Sequence, residues 1–306
     1  MSRAVQVEKL VKRYGATTAV DGISFAVERG EIFGMVGPNG AGKTTTIECV
    51  EGLRRPDGGR VRVLGHDPAA EPRELRERVG VQLQESALSP RIKVWEALDL
   101  FASFYPARVE WRPLLSELGL AACSGAQVAT LSGGQRQRLF IALALVNDPE
   151  LVFLDELTTG LDPHARRSIW ELVLGIRERG KTVCLTTHFM EEAERLCDRV
   201  AIVDRGRIVA LDTPRALIRS LDGGTRLVMT VGGSPDLEPL RRLEGVSRVC
   251  HRGGRLEIEG ARDGLASRAV RALAEQGVEV RDLGTVQATL EDVFLAVTGR
   301  RIEEGA

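Results

Sequence analysis

A glycine-rich stretch near the N-terminus has the residue types that bind phosphate. Residues 37–45 read GPNGAGKTT, in which Gly37 to Thr44 match the pattern G-x-x-x-x-G-K-[ST]. Glycines let backbone N–H groups converge on phosphate oxygens, and a helix N-terminus adds partial positive charge. Lys43 would reach the β- and γ-phosphates of a nucleotide, and the Thr44 hydroxyl would be a ligand of Mg²⁺. A chance glycine-rich turn is the weaker interpretation. The expected binding residues are Gly37, Pro38, Asn39, Gly40, Ala41, Gly42, Lys43, Thr44 and Thr45.

Two adjacent acids, in the stretch LVFLDE (151–156), add the chemistry that such a loop requires. Asp155 ends an apolar run, where a carboxylate can hold a metal ion through water. Glu156 is the candidate to orient or deprotonate an attacking water. One of the two could instead cap a helix starting near residue 157. Two acids at the carboxyl end of a strand, in a chain with a phosphate-binding loop, favour catalysis over capping.

A second stretch, LSGGQRQRL (131–139), has the composition of another phosphate loop. Ser132 is a good N-cap, and the glycines expose N–H groups at a helix N-terminus. Capping of a buried helix would explain Ser132 but not the two glycines and the glutamine. His188 in TTH and Gln84 in VQLQE are polar residues whose roles stay open when each is taken alone.

The elements that must position these residues follow from hydrophobic patterning. Short apolar runs at 31–36, 151–155 and 182–187 are typical of buried strands, the last two in parallel. The N-terminal segment alternates like antiparallel strands, helices are expected over 43–53 and 72–79, and 58–65 is a strand. Residues 199–212 indicate a hairpin turning at Arg205–Gly206. Residues from about 86 to 130 are helical and rich in aromatic side chains.

Composition shifts near 219–225, so we expect a small α+β domain over 222–306. Its predicted strands are 226–231, 255–260 and 278–284, and its predicted helices are 236–243 and 265–277. It carries 12 basic and 14 acidic residues, counted over 222–306, so it is not a basic nucleic-acid module.

The bulk composition is that of a soluble globular protein. The 306 residues are 43% hydrophobic and 28% charged, and the net charge of -1 gives no strong attraction to nucleic acid or an anionic membrane. The five cysteines form no C-x-x-C pair, so we expect buried reduced thiols in a cytosolic protein rather than disulfides or a zinc site. There is no apolar signal region and no run of the roughly 20 apolar residues that span a bilayer.

The order of these motifs resembles the ATP-binding cassette (ABC) ATPase family over roughly residues 3–215. A phosphate loop followed by LSGGQ and then an acidic strand is specific to that family. The resemblance implies an α/β P-loop NTPase fold: a mixed core sheet with antiparallel strands plus a helical subdomain at about 86–150. It places the nucleotide-binding domain at 1–221 and implies ATP and Mg²⁺ as ligands.

The resemblance also implies roles for single residues. Tyr14 would stack on adenine, Gln84 would sense Mg²⁺ and the attacking water, and His188 would contact the γ-phosphate. Asp155 would hold the metal together with Thr44 and Gln84, and Glu156 would be the catalytic glutamate. Asp162 would communicate across a dimer. The family usually has proline after the glutamate, where this chain has Leu157; we expect a small effect on the geometry of Glu156.

The same resemblance makes a pair of cassettes the unit of function, either a homodimer or two similar chains. The signature loop of one would contact ATP held by the other through Leu131, Ser132, Gly133, Gly134 and Gln135. A separate transmembrane permease would dock on the helical region at about 86–125. Plain core packing is the alternative for the aromatic side chains there, Trp95, Phe101 and Tyr105.

The C-terminal stretch TLEDVFLAVTGR (289–300) resembles the tail of ATP-binding subunits of ABC-2-type exporters, above all the daunorubicin-resistance group. We therefore expect the energising subunit of an exporter of a drug, lipid or polysaccharide. It would lie in the cytoplasm, peripheral on the inner face of the membrane. The alternatives are a soluble ABC ATPase acting on ribosomes or DNA, and a regulatory module with little turnover. The single cassette, the lack of long coiled-coil insertions and the presence of Glu156 argue against them.

Overall fold

The computed structural model describes residues 3–82, 88–105, 110–221, 225–260, 264–286 and 288–299. The chain divides into two compact units between Pro214 and Arg215, and each is described by itself. The expected domain boundary at 221/222 lies a few residues later, after a helix that begins at Pro214.

The bounds of the elements are as follows. The strands are β1 (Arg3–Tyr14), β2 (Thr17–Glu28), β3 (Ile32–Val36), β4 (Gly58–Val63), β5 (Val79–Gln82), β6 (Leu151–Asp155), β7 (Thr182–Thr187), β8 (Arg199–Asp204), β9 (Arg207–Asp212), β10 (Thr225–Val231), β11 (Val246–Arg252), β12 (Arg255–Gly260) and β13 (Val280–Val286). The helices are α1 (Lys43–Val50), α2 (Pro72–Arg76), α3 (Val94–Ala102), α4 (Arg112–Glu117), α5 (Gly133–Leu145), α6 (Pro163–Glu178), α7 (Met190–Leu196), α8 (Pro214–Ser220), α9 (Glu238–Arg241), α10 (Leu265–Glu275) and α11 (Leu290–Thr298).

The first unit is built on a sheet that, over the described residues, has six strands in the order β5-β6-β7-β3-β8-β9. The first five run parallel and β9 returns antiparallel, so the predicted hairpin over 199–212 is confirmed, with Arg205 in the left-handed region. Every residue of β3, β6 and β7 is buried, as expected for strands covered on both faces. The carboxyl ends of these strands therefore meet at one edge.

A second sheet, in the order β2-β1-β4, is antiparallel throughout, as the N-terminal alternation predicts. It shares a hydrophobic core with the first sheet. The Phe25 ring of β2 stacks on the Phe33 ring of β3, with centroids 5.1 Å apart and an interplanar angle of 6°. This packing fixes the N-terminal strands against the sheet that carries the phosphate loop.

Helices α3, α4 and α5 lie in the region predicted to be helical, and its aromatic residues divide between core and surface. Trp111 is buried, and its indole N–H donates to Asp99 at 3.1 Å. Phe101 and Tyr105 are half-buried, whereas Trp95 is 40% exposed and Phe104 is 66% exposed. Core packing therefore accounts for Trp111 and partly for Phe101 and Tyr105, whereas Trp95 and Phe104 are exposed at the surface.

The second unit is a sheet in the order β11-β12-β10-β13, antiparallel at every described pair. Leu227, Met229, Leu256 and Ile258 form its core with residues of α9 and α10. The predicted strand 255–260 is present with the same ends, and the other two predicted strands and the two predicted helices are present with shifted ends. Strand β11 was not predicted, because its sequence VSRVCHR has no buried face to reveal it.

The five cysteines, all in described segments, are free. Cys49, Cys184 and Cys197 are buried as expected, but Cys123 and Cys250 are only half-buried. Burial raises the pKa of the Cys49 thiol to about 11 and also raises the pKa values of the Cys184 and Cys197 thiols. Within the part of the chain that the structure describes, no helix combines the length and apolar character needed to span a membrane.

A substitution at Gly80 tests how closely α5 packs on the sheet. A Cβ at this position of β5 would lie 1.9 Å from the backbone oxygen of Ala144 in α5. We expect Gly80→Ala to destabilise the first unit by roughly 1–3 kcal/mol, because backbone must move to accept the methyl group. Gly175→Ala in α6 is the control: it meets no atom within 4 Å and should stabilise by up to about 1 kcal/mol through helix propensity. Urea unfolding of both variants measures this, and equal effects would contradict the close packing.

Candidate functional site

The phosphate-type loop lies between β3 and α1, and two of its glycines are required by their surroundings. A Cβ at Gly37 would lie 2.1 Å from the Val203 oxygen, and a Cβ at Gly42 would lie 2.3 Å from the Ala19 oxygen. Gly42, at φ 101°, also adopts a conformation that side-chain-bearing residues rarely enter. The loop is thus wedged between β8 and β2, and α1 begins directly after it.

Lys43 is buried and bends back across the loop. Its ammonium donates to the backbone oxygens of Gly37 at 2.8 Å and Pro38 at 3.0 Å. Burial lowers the pKa of Lys43, and the nearby negative charges of Glu156 and Asp155 oppose this shift. Because its hydrogen bonds within the described structure go to neutral carbonyl groups, the buried Lys43 ammonium is suited to receive an anion.

Asp155 ends β6 beside this loop, and its side chain is buried. The Thr186 hydroxyl of the adjacent strand β7 donates to the Asp155 carboxylate, and Thr44 forms a second hydrogen bond with it. Burial raises the pKa of Asp155, and the charge of Glu156 adds to that rise, while these hydrogen bonds and Lys43 lower it. A buried carboxylate beside a threonine hydroxyl is a hard-oxygen donor set that fits Mg²⁺.

Glu156 follows in the left-handed region at φ 48°, a conformation that costs a residue other than glycine roughly 1–3 kcal/mol. Its backbone N–H donates to the Thr186 backbone oxygen at 3.1 Å, which holds the turn against β7. The His188 ring nitrogen Nδ1 lies 3.7 Å from a Glu156 carboxylate oxygen, and it is buried without a hydrogen bond in the described structure. The structure therefore brings Glu156 and His188 together.

The residues after Glu156 form a turn, so the alternative that an acid caps a helix near 157 is wrong. Helix α6 begins at Pro163, and Asp162 is its cap: one Asp162 oxygen accepts from the N–H groups of His164 and Ala165, both at 2.9 Å. Leu157 is buried. Asp162 thus has a structural task in the single chain, besides the role in a dimer that the resemblance implies.

The signature loop begins α5 with a reciprocal cap. The Gln135 N–H donates to the Ser132 hydroxyl at 3.3 Å, and the Ser132 N–H donates to the Gln135 side chain at 3.0 Å. A Cβ at Gly133 would lie 3.3 Å from Leu161, and one at Gly134 would lie 3.3 Å from Ala165. Close packing therefore gives a local reason for the two glycines, which the sequence alone did not offer.

Tyr14, at the end of β1, is 42% exposed to solvent. The charged groups of Lys12 and Arg54 lie 5.7 Å and 5.5 Å from the ring centre. Its exposure permits stacking. Gln84 lies outside the described residues; strand β5 ends two residues before it, at Gln82.

Sequence reasoning missed the residues that support the site. The Glu192 carboxylate, buried in α7, accepts from the Thr158 hydroxyl and the Trp170 indole, both at 2.9 Å. This network joins the turn after Glu156 to α6 and α7. Thr186, which holds both Asp155 and Glu156, was also missed; its only signal is a hydroxyl residue near the end of an apolar strand.

Comparison with known proteins is consistent with this geometry. The family described as ABC transporter matches residues 20–159. Nod factor export ATP-binding protein I of Paraburkholderia xenovorans (strain LB400) is 40% identical, covering 98% of this chain and 99% of that protein. Daunorubicin resistance ATP-binding protein DrrA2 of Streptomyces coeruleorubidus is 37% identical, covering 98% and 96% respectively.

A solved ATP-binding subunit of an ABC transporter superposes with a TM-score of 0.64 at 31% identity, covering 71% of this chain and 92% of that one. The ADP conformation of the cassette MJ1267 matches with the same TM-score at 25% identity, over 71% and 93%. The expected α/β P-loop cassette fold is confirmed. The chain therefore belongs to the ATP-binding cassette family of ABC transporters, whose members bind ATP and hydrolyse it to ADP and phosphate.

Proposed function

We propose that this chain is the ATP-hydrolysing subunit of a membrane exporter and that two cassettes close around ATP to drive transport. The observation that supports hydrolysis is the group formed by Lys43, Asp155, Glu156 and His188 beside the phosphate loop. Support for export comes from the relatives, whose names give Nod factor export and daunorubicin resistance and whose similarity covers 98% of this chain.

In this proposal Gly37 to Thr45 hold the phosphates, with the N-terminus of α1 directed at them. The Lys43 ammonium, already fixed by two loop carbonyls, pairs with the β- and γ-phosphates. Tyr14 stacks on the base. Thr44 and Asp155, with Gln84, would hold Mg²⁺, which would balance charge on the phosphates when bound.

Glu156 orients the attacking water and accepts its proton. The Glu156 backbone is in the left-handed region, and a Glu156 carboxylate oxygen lies 3.7 Å from the His188 ring nitrogen Nδ1. His188 would then contact the γ-phosphate, which supplies the hydrogen-bond partner that Nδ1 lacks in the described structure. Leu157 is buried in this turn, where the family usually has proline, and we propose that it has only a small effect on the geometry of Glu156.

Cassettes of this family act as dimers with transmembrane partners. We propose that Leu131 to Gln135 contact the γ-phosphate bound to a second chain, while Asp162 lies at the dimer interface. The cap on α5 directs a helix N-terminus at that anion. ATP would bind the closed dimer better than the open one, and hydrolysis would release it.

The cargo of the proposed exporter is a drug, lipid or polysaccharide. We propose that residues 1–221 are the nucleotide-binding domain, with a helical subdomain at about 86–150, and that 222–306 are an accessory domain. A separate transmembrane permease would hold the chain at the inner face of the membrane. The permease would dock near the exposed aromatic side chains of the helical region, among them Trp95 and Phe104.

Glu156→Gln tests the catalytic assignment. The amide cannot accept a proton from water, so we expect hydrolysis to fall by about 10²–10⁴-fold while ATP binding persists. An ATP-bound dimer should accumulate, measured by light scattering with and without ATP. Glu178→Gln, at an exposed position of α6, should behave as wild type. A Glu156→Gln chain that turns over normally, or stays monomeric with ATP, contradicts the assignment.

Ser132 tests the signature contact separately from helix capping. Aspartate caps as well as serine, so Ser132→Asp should preserve stability but repel a γ-phosphate presented by a second chain. Ser132→Ala should cost about 1 kcal/mol of stability through the lost cap. Nucleotide binding by dilute monomer, followed with a fluorescent ATP analogue, should be unchanged in both. Turnover should fall most in Ser132→Asp; wild-type turnover in that variant would mean that Ser132 only caps α5.

Membrane association tests the proposed partnership. Expressed alone, the chain should remain in the soluble fraction. Co-expressed with a membrane protein of about six spans encoded beside its gene, it should be retained on membranes and released by alkaline carbonate. Retention that resists the wash would contradict a peripheral subunit. Absence of retention with that membrane protein would contradict the partnership.

A further inference from the structure

A groove of about 310 Å³ lies on one face of the sheet in the second unit. The side chains that line it alternate along β10, β11 and β12 with those that form the apolar core, so the two faces of this sheet differ in character. Four arginines line the groove: Arg226, Arg248, Arg252 and Arg255. The volume falls at the small end of the range typical of ligand sites. The groove is therefore large enough for a small ligand and rich in guanidinium groups.

Two glutamates also line the groove, and each lies beside arginine. Glu257 accepts a hydrogen bond from Arg226 at 2.6 Å, which lowers the pKa of Glu257, and it lies 3.4 Å from Arg255. Glu259 lies 3.8 Å from the same Arg226. The charge of Asp292, outside the lining, also acts on Arg226. These acids therefore compensate Arg226 and, in part, Arg255.

Arg248 and Arg252 lie on the same face of β11 and are not compensated in this way. Neither side chain forms an ion pair or a hydrogen bond within the residues that the structure describes. Both side chains are exposed, and Cys250 lies between them on the strand. The positive charge of the groove is thus concentrated along β11.

The hairpin that joins β11 to β12 places a second positive charge against Arg252. Gly253 and Gly254, at φ 56° and 80°, form its two-residue turn, and Arg252 pairs directly with Arg255 across the strands. Like charges directly opposite each other on a sheet are destabilising. The fixed strands therefore hold two guanidinium groups side by side, and an anion between them would replace this repulsion with attraction.

We propose that this groove binds a phosphate group through Arg248, Arg252 and Arg255. Each guanidinium presents a planar fork of N–H donors that matches phosphate oxygens, and such charge-assisted hydrogen bonds are strong. The four arginines exceed the two lining glutamates by two charges, which a phosphate dianion balances. A cation would be repelled by Arg248 and Arg252, and an uncharged molecule would leave them uncompensated. The site lies within the second unit and is separate from the residues proposed for hydrolysis.

Cys250 makes the groove measurable in the full chain. It is half-buried in the lining, and the half-buried Cys123 of the first unit is an internal control. Alkylation by neutral iodoacetamide, followed at each cysteine by mass spectrometry, measures the access of reagent to each thiol. We expect inorganic phosphate to slow alkylation of Cys250 to a saturating limit and to leave Cys123 unchanged. Sodium chloride at the same ionic strength should slow neither.

Arg252→Gln and Arg248→Gln test the assigned residues. Each should raise the phosphate concentration that gives half of the protection by at least about tenfold, because a charge-assisted hydrogen bond is lost. Arg271→Gln is the matched control: Arg271 is exposed on α10 outside the lining, and its loss changes the net charge equally. Both groove variants remove side chains without described partners, so their thermal midpoints should not fall and their ATP hydrolysis should match wild type. Dependence on Arg252 separates this site from the phosphate loop at 37–45.

Vesicles distinguish a soluble phosphate compound from a lipid headgroup. Protection by inorganic phosphate assigns the site to soluble phosphates. Protection only by phosphatidylcholine vesicles that contain phosphatidic acid assigns it to a headgroup, and plain phosphatidylcholine vesicles are the control. Lack of protection by both phosphate sources would overturn the inference. Equal protection by sodium chloride, or protection that survives unchanged in Arg248→Gln and Arg252→Gln, would do the same.

Discussion

The arrangement of the first unit depends on burying one cation and one carboxylate at the edge of an otherwise apolar sheet. Lys43 and Asp155 both lose most of their water, which lowers the pKa of the first and raises that of the second. Their mutual attraction, two loop carbonyls and the hydroxyl groups of Thr44 and Thr186 offset this loss. The buried pair of Lys43 and Asp155 needs rigid surroundings to keep these contacts, and the wholly buried strands β3, β6 and β7 provide them.

This constraint explains why some of the structure could be predicted from the sequence. Strands that are covered on both faces are mostly apolar, so 151–155 and 182–187 were identified correctly. Strand β5 was missed because Gly80 and Gln82 break that pattern: Gly80 is imposed by contact with α5, a partner far away in the chain. The sequence placed Lys43, Asp155, Glu156 and His188 by motif. It could not place Thr186 or Glu192, whose contacts join residues about 30 apart.

The folded structure adds a role for the signature loop within the single chain. Ser132 and Asp162 each cap a helix, α5 and α6, and the starts of those helices pack through Gly133 on Leu161 and Gly134 on Ala165. The Leu161 N–H donates to the Thr158 oxygen, within the turn that follows Glu156. The glycines therefore let this loop pack closely against the residues that follow the turn after Glu156 inside one chain. This packing is compatible with the proposed contact between the signature loop and a γ-phosphate bound to another chain, because it connects the signature loop to the turn after Glu156.

Among the buried polar atoms of the first unit that have no hydrogen-bond partner in the described structure, His188 Nδ1 lies 3.7 Å from Glu156, whose backbone is in the left-handed region. The same set includes atoms of Glu28, Gln137 and Asn147, so an unpaired polar atom does not by itself mark a ligand site. The position of His188 beside Glu156 and the phosphate loop is what distinguishes it. The buried Glu192 carboxylate, by contrast, accepts from two donors in the interior, so this fold can satisfy a buried polar group from within the chain. We therefore interpret the His188 nitrogen as half of an interaction whose other half, in the proposed mechanism, is a γ-phosphate from outside the chain.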